Sequence, residues 1–389
     1  MEPGTSNASR LATLDGLRGW AALSVVVYHA TWETFGIVFP AFRSPAASLL
    51  GNGSLAVAIF FTLSGYVLTL RRWHRTDNPN LVLVLVRRYF RLGIPIMAAV
   101  LVAWAIMSLG LAPNREAAKI VLRGDWLGGF ASFPPNLLDA VWYGLVRVYW
   151  IARDHSYGPF LWTMAIEFWG SVFVLSLSHS PRLFREAYTP LLLLLVVLLR
   201  FFPLAACFPA GAIIALLQRD GRIWRSEPGP LESFLSSSML VAALLAAASF
   251  QIVFPSLMPA AFAGTLVFIG AARSRPAHTF LSTPVSGWLG RISFPLYLIQ
   301  YAVLITLTSW SIIRLDAAGL LNPWTALCVA VISTGAALLA ATAFLPVEIF
   351  TLGFVKRLGW PRRRLDDTGA FPGKVQSGFP VRKRDRSET

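Results

Sequence analysis

The chain has 389 residues, 56% of them hydrophobic and 14% charged, with a mean hydropathy of +0.60 and 34 Lys+Arg against 19 Asp+Glu. A soluble globular protein carries about 25% charged residues, so this one has too few to wet its own surface; a disordered chain, a coiled coil and a disulfide-stapled secreted module are also excluded. The composition is that of a membrane protein. The formal net charge of +15 does not imply nucleic acid, because the basic residues, nearly all arginine, fall between apolar runs instead of forming a soluble basic face.

Taken in chain order, apolar stretches at roughly 16–36, 54–71, 92–112, 159–178, 187–202, 204–218, 234–254, 257–272, 289–311 and 324–347 predict an all-α, polytopic transmembrane helix bundle of about ten spans. Residues 1–10 form a short leading segment, 11–355 the transmembrane domain and 356–389 a basic tail expected to be disordered. No signal peptide precedes the first run, so that run is expected to be retained. The fifth and sixth stretches are short, flank Pro203 and could form a re-entrant hairpin. The aromatic, amphipathic segment 137–150 is expected to lie on the membrane surface. With the N-terminus inside, 26 of the 34 basic residues fall on the cytoplasmic side and 8 on the other, so both termini are expected to be cytoplasmic. Cys207 and Cys328 lie inside apolar runs, and neither suggests a disulfide or a metal site. Asn52-Gly-Ser54 is a glycosylation sequon, expected to be unused so close to a span.

Charged groups inside a membrane cost roughly 2.5–3.5 kcal/mol each, so each needs a reason to be there. Of five histidines only His29 lies within a span, and of 19 acids only Glu167 sits well inside one; Glu348 lies at the inner end of the last span. Eleven helical steps from Arg18 to His29 make three turns plus about 20°, which places both on one face about 16 Å apart. Asp15 and Glu33 stand three residues before Arg18 and four after His29, both contact spacings. Counting rise from each helix end puts His29 and Glu167 at similar depth, nearer the non-cytoplasmic face. A neutral histidine near an alcohol acts as general base, with a carboxylate to orient it. The same pair also suits a transporter's proton path or a structural hydrogen bond, and chemistry alone leaves all three open.

Six segments then coincide with one family pattern. LDGLRGWAALSVVVYHA, with its Arg-x10-His spacing, resembles the first span of the acyltransferase 3 family of integral-membrane O-acyltransferases. IFFTLSGYVLTL resembles that family's FFxLSG segment, VRRYFRLGIP its Arg-x-x-Arg segment (Arg88 and Arg91), and LWTMAIEFWGS its block ending in glutamate, here in a form like the fungal branch. RISFPLYLIQY and FLPVEIF are similar to its late segments. The resemblance implies transfer of an acyl group, often acetyl, from acyl-CoA to a hydroxyl on a carbohydrate, lipid or small metabolite, with acyl-CoA as cosubstrate and no bound cofactor. It implies that His29 is the catalytic base, Arg18 its essential partner, and Arg88 and Arg91 the contacts to CoA phosphates. Bidentate arginines suit those phosphates, whereas Arg71, Arg72 and Arg75 are expected to be membrane anchors. Glu167 is expected to orient His29 or grip the acceptor, and Ser64 to pack with Gly65 rather than act as nucleophile. Many relatives carry His where this chain has Gln300. The lack of an appended extramembrane domain favours a small hydroxylated acceptor, and the fungal-type block suggests a secondary metabolite and an endoplasmic-reticulum membrane.

Overall fold

The computed structural model describes residues 3–73, 80–150, 156–179, 187–224, 226–253 and 257–358; Arg75 and the expected tail beyond 358 lie outside them. The regular structure of the described residues is all helical, without strands. The long elements are α1 (Pro3–Tyr28), α3 (Gly53–Trp73) after a short α2 (Pro45–Leu50), and α4 (Leu81–Ser108). Two short helices follow, α5 (Asn114–Ile120) and α6 (Leu137–Leu145), and then α7 (Trp162–His179). The second half runs through α8 (Tyr188–Phe201), α9 (Pro203–Arg219), α10 (Pro230–Val253), α11 (Leu257–Arg273) and α12 (Arg275–Leu281). It closes with α13 (Pro284–Val303), α14 (Ser309–Ala317), α15 (Pro323–Ala343) and α16 (Leu345–Arg357).

Each of the ten apolar stretches is helical, yet length and hydropathy qualify only six helices among the described residues to cross a membrane, or seven if α11 and α12, bent by 91°, make one span. The α1 helix, with Asp15 and Arg18, falls outside that set. So do α8 and α9, which at 14 and 17 residues are shorter than the roughly 20 a crossing requires. They break at Phe202-Pro203, where proline opens α9 at a position that has no intrahelical donor to lose.

In lipid no hydrophobic drive pushes helices together, so close packing of small residues does it. The α3–α9 pair is the clearest case. A Cβ on Gly65 would stand 1.9 Å from the carbonyl oxygen of Phe208, and one on Gly211 would stand 2.0 Å from that of Thr62. The two backbones therefore touch through their glycines. Gly65→Ala is expected to lower stability by about 1–3 kcal/mol or more through overpacking. Gly335→Ala, with open space around it, is expected to be neutral or stabilising. Thermal melts of the two purified variants in detergent check this.

The α1 and α13 helices run side by side in the same direction. Gly19 backs onto Leu289 and Gly290, Trp20 Nε1 donates to Ser286 Oγ at 2.9 Å, and His29 reaches Gln300. Both helices then pass into π turns, His29–Glu33 and Leu304–Thr308. Hydroxyls five residues on take up carbonyls there: Thr34 donates to His29 O at 2.6 Å and Ser309 to Leu304 O at 2.8 Å. Such π turns inside α-helices are frequent at functional sites.

Segment 137–150 packs against α4 and α7. Gly144 meets Met97, Leu145 O accepts from Tyr89 Oη at 2.8 Å, and Tyr149 O accepts from Trp169 Nε1 at 2.9 Å. Leu138, Trp142 and Trp150 remain exposed, so the amphipathic pattern seen in the sequence divides helix contact from outward surface. Burial pushes the Tyr143 phenol of this segment up to about 12, and its hydroxyl donates to the Gly158 carbonyl at 3.1 Å. Asn52 is buried, donates to Ala247 O at 3.2 Å and caps Leu55 N, so the sequon is folded away.

Candidate active site

Two groups of polar side chains line the α1–α13 seam, one at each end. At the end where α1 turns π, His29 Nδ1 lies 3.0 Å from Gln300 Oε1. Gln300 Nε2 donates to Tyr297 O at 3.1 Å, which turns the amide oxygen toward the histidine. An amide oxygen only accepts, so Nδ1 carries the proton and Nε2 keeps its lone pair. The imidazole stacks on Phe160, ring centroids 3.9 Å apart, and Trp126 stands 5.8 Å away. A cavity of about 20 Å³ adjoins His29, bordered by Gln300, Thr308 and Ser333. Such an imidazole, with its tautomer set from behind, could act as a general base.

Trp126 is held there by charge. Arg123, on the loop after α5, places Nη2 2.5 Å from Glu33 Oε2 and lies over the Trp126 ring at 5.4 Å. Tyr28 Oη donates to the same carboxylate. Glu33 thus ties the connecting loop to the π turn instead of touching His29.

Toward the other end of the seam lies a cavity of about 430 Å³. Arg18, Arg88, Arg91 and Arg291 line it with Glu167, Glu348, Ser64, Thr163 and Tyr297. Arg88 pairs with Glu167 and donates from Nε to Ser171 Oγ at 3.0 Å, so one turn of α7 holds the guanidinium from two positions. Arg91 Nη2 meets Glu348 Oε1 at 2.5 Å, which leaves Arg91 Nη1 and Glu348 Oε2 buried and unbonded. Arg18 pairs with Asp15 at 3.2 Å, as their spacing allows. Arg291 makes no hydrogen bond or ion pair among the described residues. Four guanidinium groups against two carboxylates leave the cavity net positive, and an anion is the ligand such a site stabilises. No group of three or more His, Cys, Asp or Glu among the described residues could hold a metal.

The expected His29–Glu167 contact is not formed. Each has its own partner, and Glu167 lies on the arginine cavity. The depth estimate erred because it put the start of α7 at the membrane surface. Phe160, in the 3₁₀ turn before α7, is already level with His29, and Glu167 lies seven residues, roughly 10 Å, further along. Arg18, Arg88, Arg91 and Glu167 do converge on one cavity, and Gln300 takes the place beside His29 that Glu167 was expected to fill. Arg291 and Tyr297 were visible in the sequence only as letters of the RISFPLYLIQY segment, with no spacing signal of their own. Gln300→Leu is expected to slow turnover about tenfold by releasing the tautomer, whereas Gln300→Glu, still an acceptor, is expected to stay near wild type. Steady-state rates at saturating substrate compare them.

A polytopic helical bundle with a buried imidazole at one end of a polar seam and a cationic cavity toward the other suits a membrane group-transfer enzyme. The chain belongs to the acyltransferase 3 family (acyltransferase domain), which it matches over residues 11–342. It is 27% identical to the acyltransferase MdmB of Streptomyces mycarofaciens over 76% of this chain and 79% of that protein. It is also 27% identical to the O-acetyltransferase PaAT-1 of Phomopsis amygdali, over 76% of this chain and 72% of that one. The peptidoglycan O-acetyltransferase OatA of Listeria monocytogenes shares 25% identity, over 76% of this chain but 50% of its own length. No solved structure matches.

Proposed function

We propose that this membrane acyltransferase moves an acyl group, acetyl in the first instance, from acyl-CoA to a hydroxyl of a small metabolite. The observation that carries the reading is the seam: a tautomer-fixed His29 at one end and a net-positive cavity of about 430 Å³ at the other. CoA is a polyanion with a long, flexible, neutral arm. Its phosphates suit Arg88, Arg91, Arg18 and Arg291, with the unbonded Arg91 Nη1 supplying a donor in place. Its thioester would then point along the seam toward His29. The arginine end is taken to be cytoplasmic, with both termini on that side, as the distribution of basic residues supports. The acceptor is taken to be small because the relative named for a polymer, the peptidoglycan O-acetyltransferase OatA, is matched over only 50% of its length, whereas MdmB and PaAT-1 are matched over 79% and 72% of theirs.

The transfer is direct. His29 Nε2 takes the proton of the acceptor hydroxyl as its oxygen attacks the thioester carbon. The C–S bond then breaks and the departing thiolate takes that proton from the imidazolium, leaving ester and free CoA. Glu167 serves by holding Arg88, not by orienting the base.

Membranes containing the protein, given radiolabelled acetyl-CoA and a metabolite extract, are expected to move label into an ester product identified by mass. If membranes with and without the protein release CoA equally across several acyl lengths, the donor is not acyl-CoA and the reading fails.

A further inference from the structure

Tyr297 belongs to both ends of the seam. Its side chain lines the arginine cavity. Its hydroxyl donates to the carbonyl of Phe160, the residue whose ring stacks on His29. Its own carbonyl anchors Gln300, three residues on, which holds His29 Nδ1. Thr163 Oγ1 lies 2.7 Å from the Tyr297 oxygen, and because the phenolic proton goes to Phe160, Thr163 is the donor in that pair. Thr163 lines the same cavity, whereas Phe160 and His29 border the small one behind it. Tyr297, Thr163 and Phe160 therefore make the wall between the cavity and the base.

For transfer, the acceptor oxygen held by His29 must come to within about 3–3.5 Å of the thioester carbon. The thioester must then sit in this wall, with its carbonyl oxygen beside the Tyr297 hydroxyl. Resting on the acyl-CoA reading above, we propose that Tyr297 is the oxyanion donor of the reaction, its phenolic proton passing from the Phe160 carbonyl to the thioester carbonyl oxygen. As the acceptor oxygen forms its bond to carbon, the carbonyl π pair moves onto that oxygen and is stabilised by the Tyr297 hydrogen bond. When the C–S bond breaks, the pair returns to restore the carbonyl, the thiolate leaves and takes the proton from His29. A phenol suits the place because it donates without bringing a charge into the membrane. The exchange also couples donor arrival to the base, since the Phe160 carbonyl is released only when another acceptor takes the proton.

The test uses the purified full chain in detergent and two unreactive donor analogues: S-ethyl-CoA, a thioether without a carbonyl, and the ketone isostere of acetyl-CoA in which a methylene replaces the thioester sulfur. Wild type is expected to bind the ketone about tenfold more tightly than the thioether. Tyr297→Phe is expected to bind the thioether as wild type does, to lose the preference for the ketone, and to lose about a hundredfold in kcat with little change in the KM for acetyl-CoA. A structural role for Tyr297 would weaken both analogues together. Should Tyr297→Phe fail to bind the thioether, Thr163→Val decides: it removes the hydroxyl that steadies the phenol and is expected to shrink the ketone preference while leaving thioether binding intact. Retention of the preference in either folded variant overturns the assignment of Tyr297 and leaves the donor reading standing. Failure of wild type to bind S-ethyl-CoA defeats the donor reading itself.

Discussion

Membranes carrying His29→Ala are expected to release acceptor-dependent CoA at a rate at least about a hundredfold below wild type, the low end of what a positioned general base contributes. The expectation follows from the way the imidazole is held. Gln300 occupies Nδ1, Phe160 covers one ring face and Trp126 stands near, so Nε2 is the ring nitrogen with a lone pair to offer. Alanine also leaves the Gln300 oxygen without its donor, at a cost of about 1–3 kcal/mol, so the comparison is made at equal amounts of monodisperse protein. His29→Asn, which keeps a side-chain amide donor, separates the two effects: it is expected to recover stability and not rate. Acceptor-dependent release by folded His29→Ala at the wild-type rate would remove His29 from the chemistry.

Much of this site was legible in the sequence, because a membrane makes polar residues conspicuous. His29 and Glu167 stand out as ionisable groups inside apolar runs, and Arg18 is tied to His29 by helical arithmetic that the α1 helix preserves up to the π turn. Neighbourhood was not legible. Depth counted from helix ends cannot say which helices touch, and it fails where a loop folds inward, as the 3₁₀ turn at Pro159–Leu161 does. The partner of Glu167 is consequently Arg88, and the partner of His29 is Gln300, at a position where many relatives carry histidine. An amide at that position does what a carboxylate was expected to do, at no charge cost. Ten apolar runs exceed the six or seven helices that qualify as spans by length and hydropathy among the described residues, for a related reason. Apolar runs near α8 and α9 have the hydropathy of a crossing without its length, and α9 is buried by α3 instead of by lipid.

The second large effect concerns that same Glu167. Its carboxylate and the Arg88 guanidinium are 14% and 18% exposed, well inside the bundle. Removing one partner of a buried ion pair leaves the other charge uncompensated and costs about 3–5 kcal/mol, more than the pair itself contributes. Glu167→Ala is therefore expected to lower the melting temperature sharply and to express poorly. Replacing both partners together, Arg88→Met with Glu167→Leu, removes both charges at similar volume and is expected to regain most of that stability. The double variant should still fail to transfer label at low acetyl-CoA, because one of the four cavity arginines is gone, and should improve as donor is raised. Fluorescence-detected melting in detergent, alongside KM and kcat for the donor, distinguishes the outcomes. Had Glu167 oriented His29, the single variant would melt like wild type while kcat collapsed at every donor concentration. The ion pair gives the opposite pattern, because Ser171 and Glu167 on α7 hold Arg88 where it faces the cavity. On the proposed reading, the carboxylate would stabilise the fold and set the position of a donor-binding cation, and the proton transfer would belong to His29 at the other end of the seam.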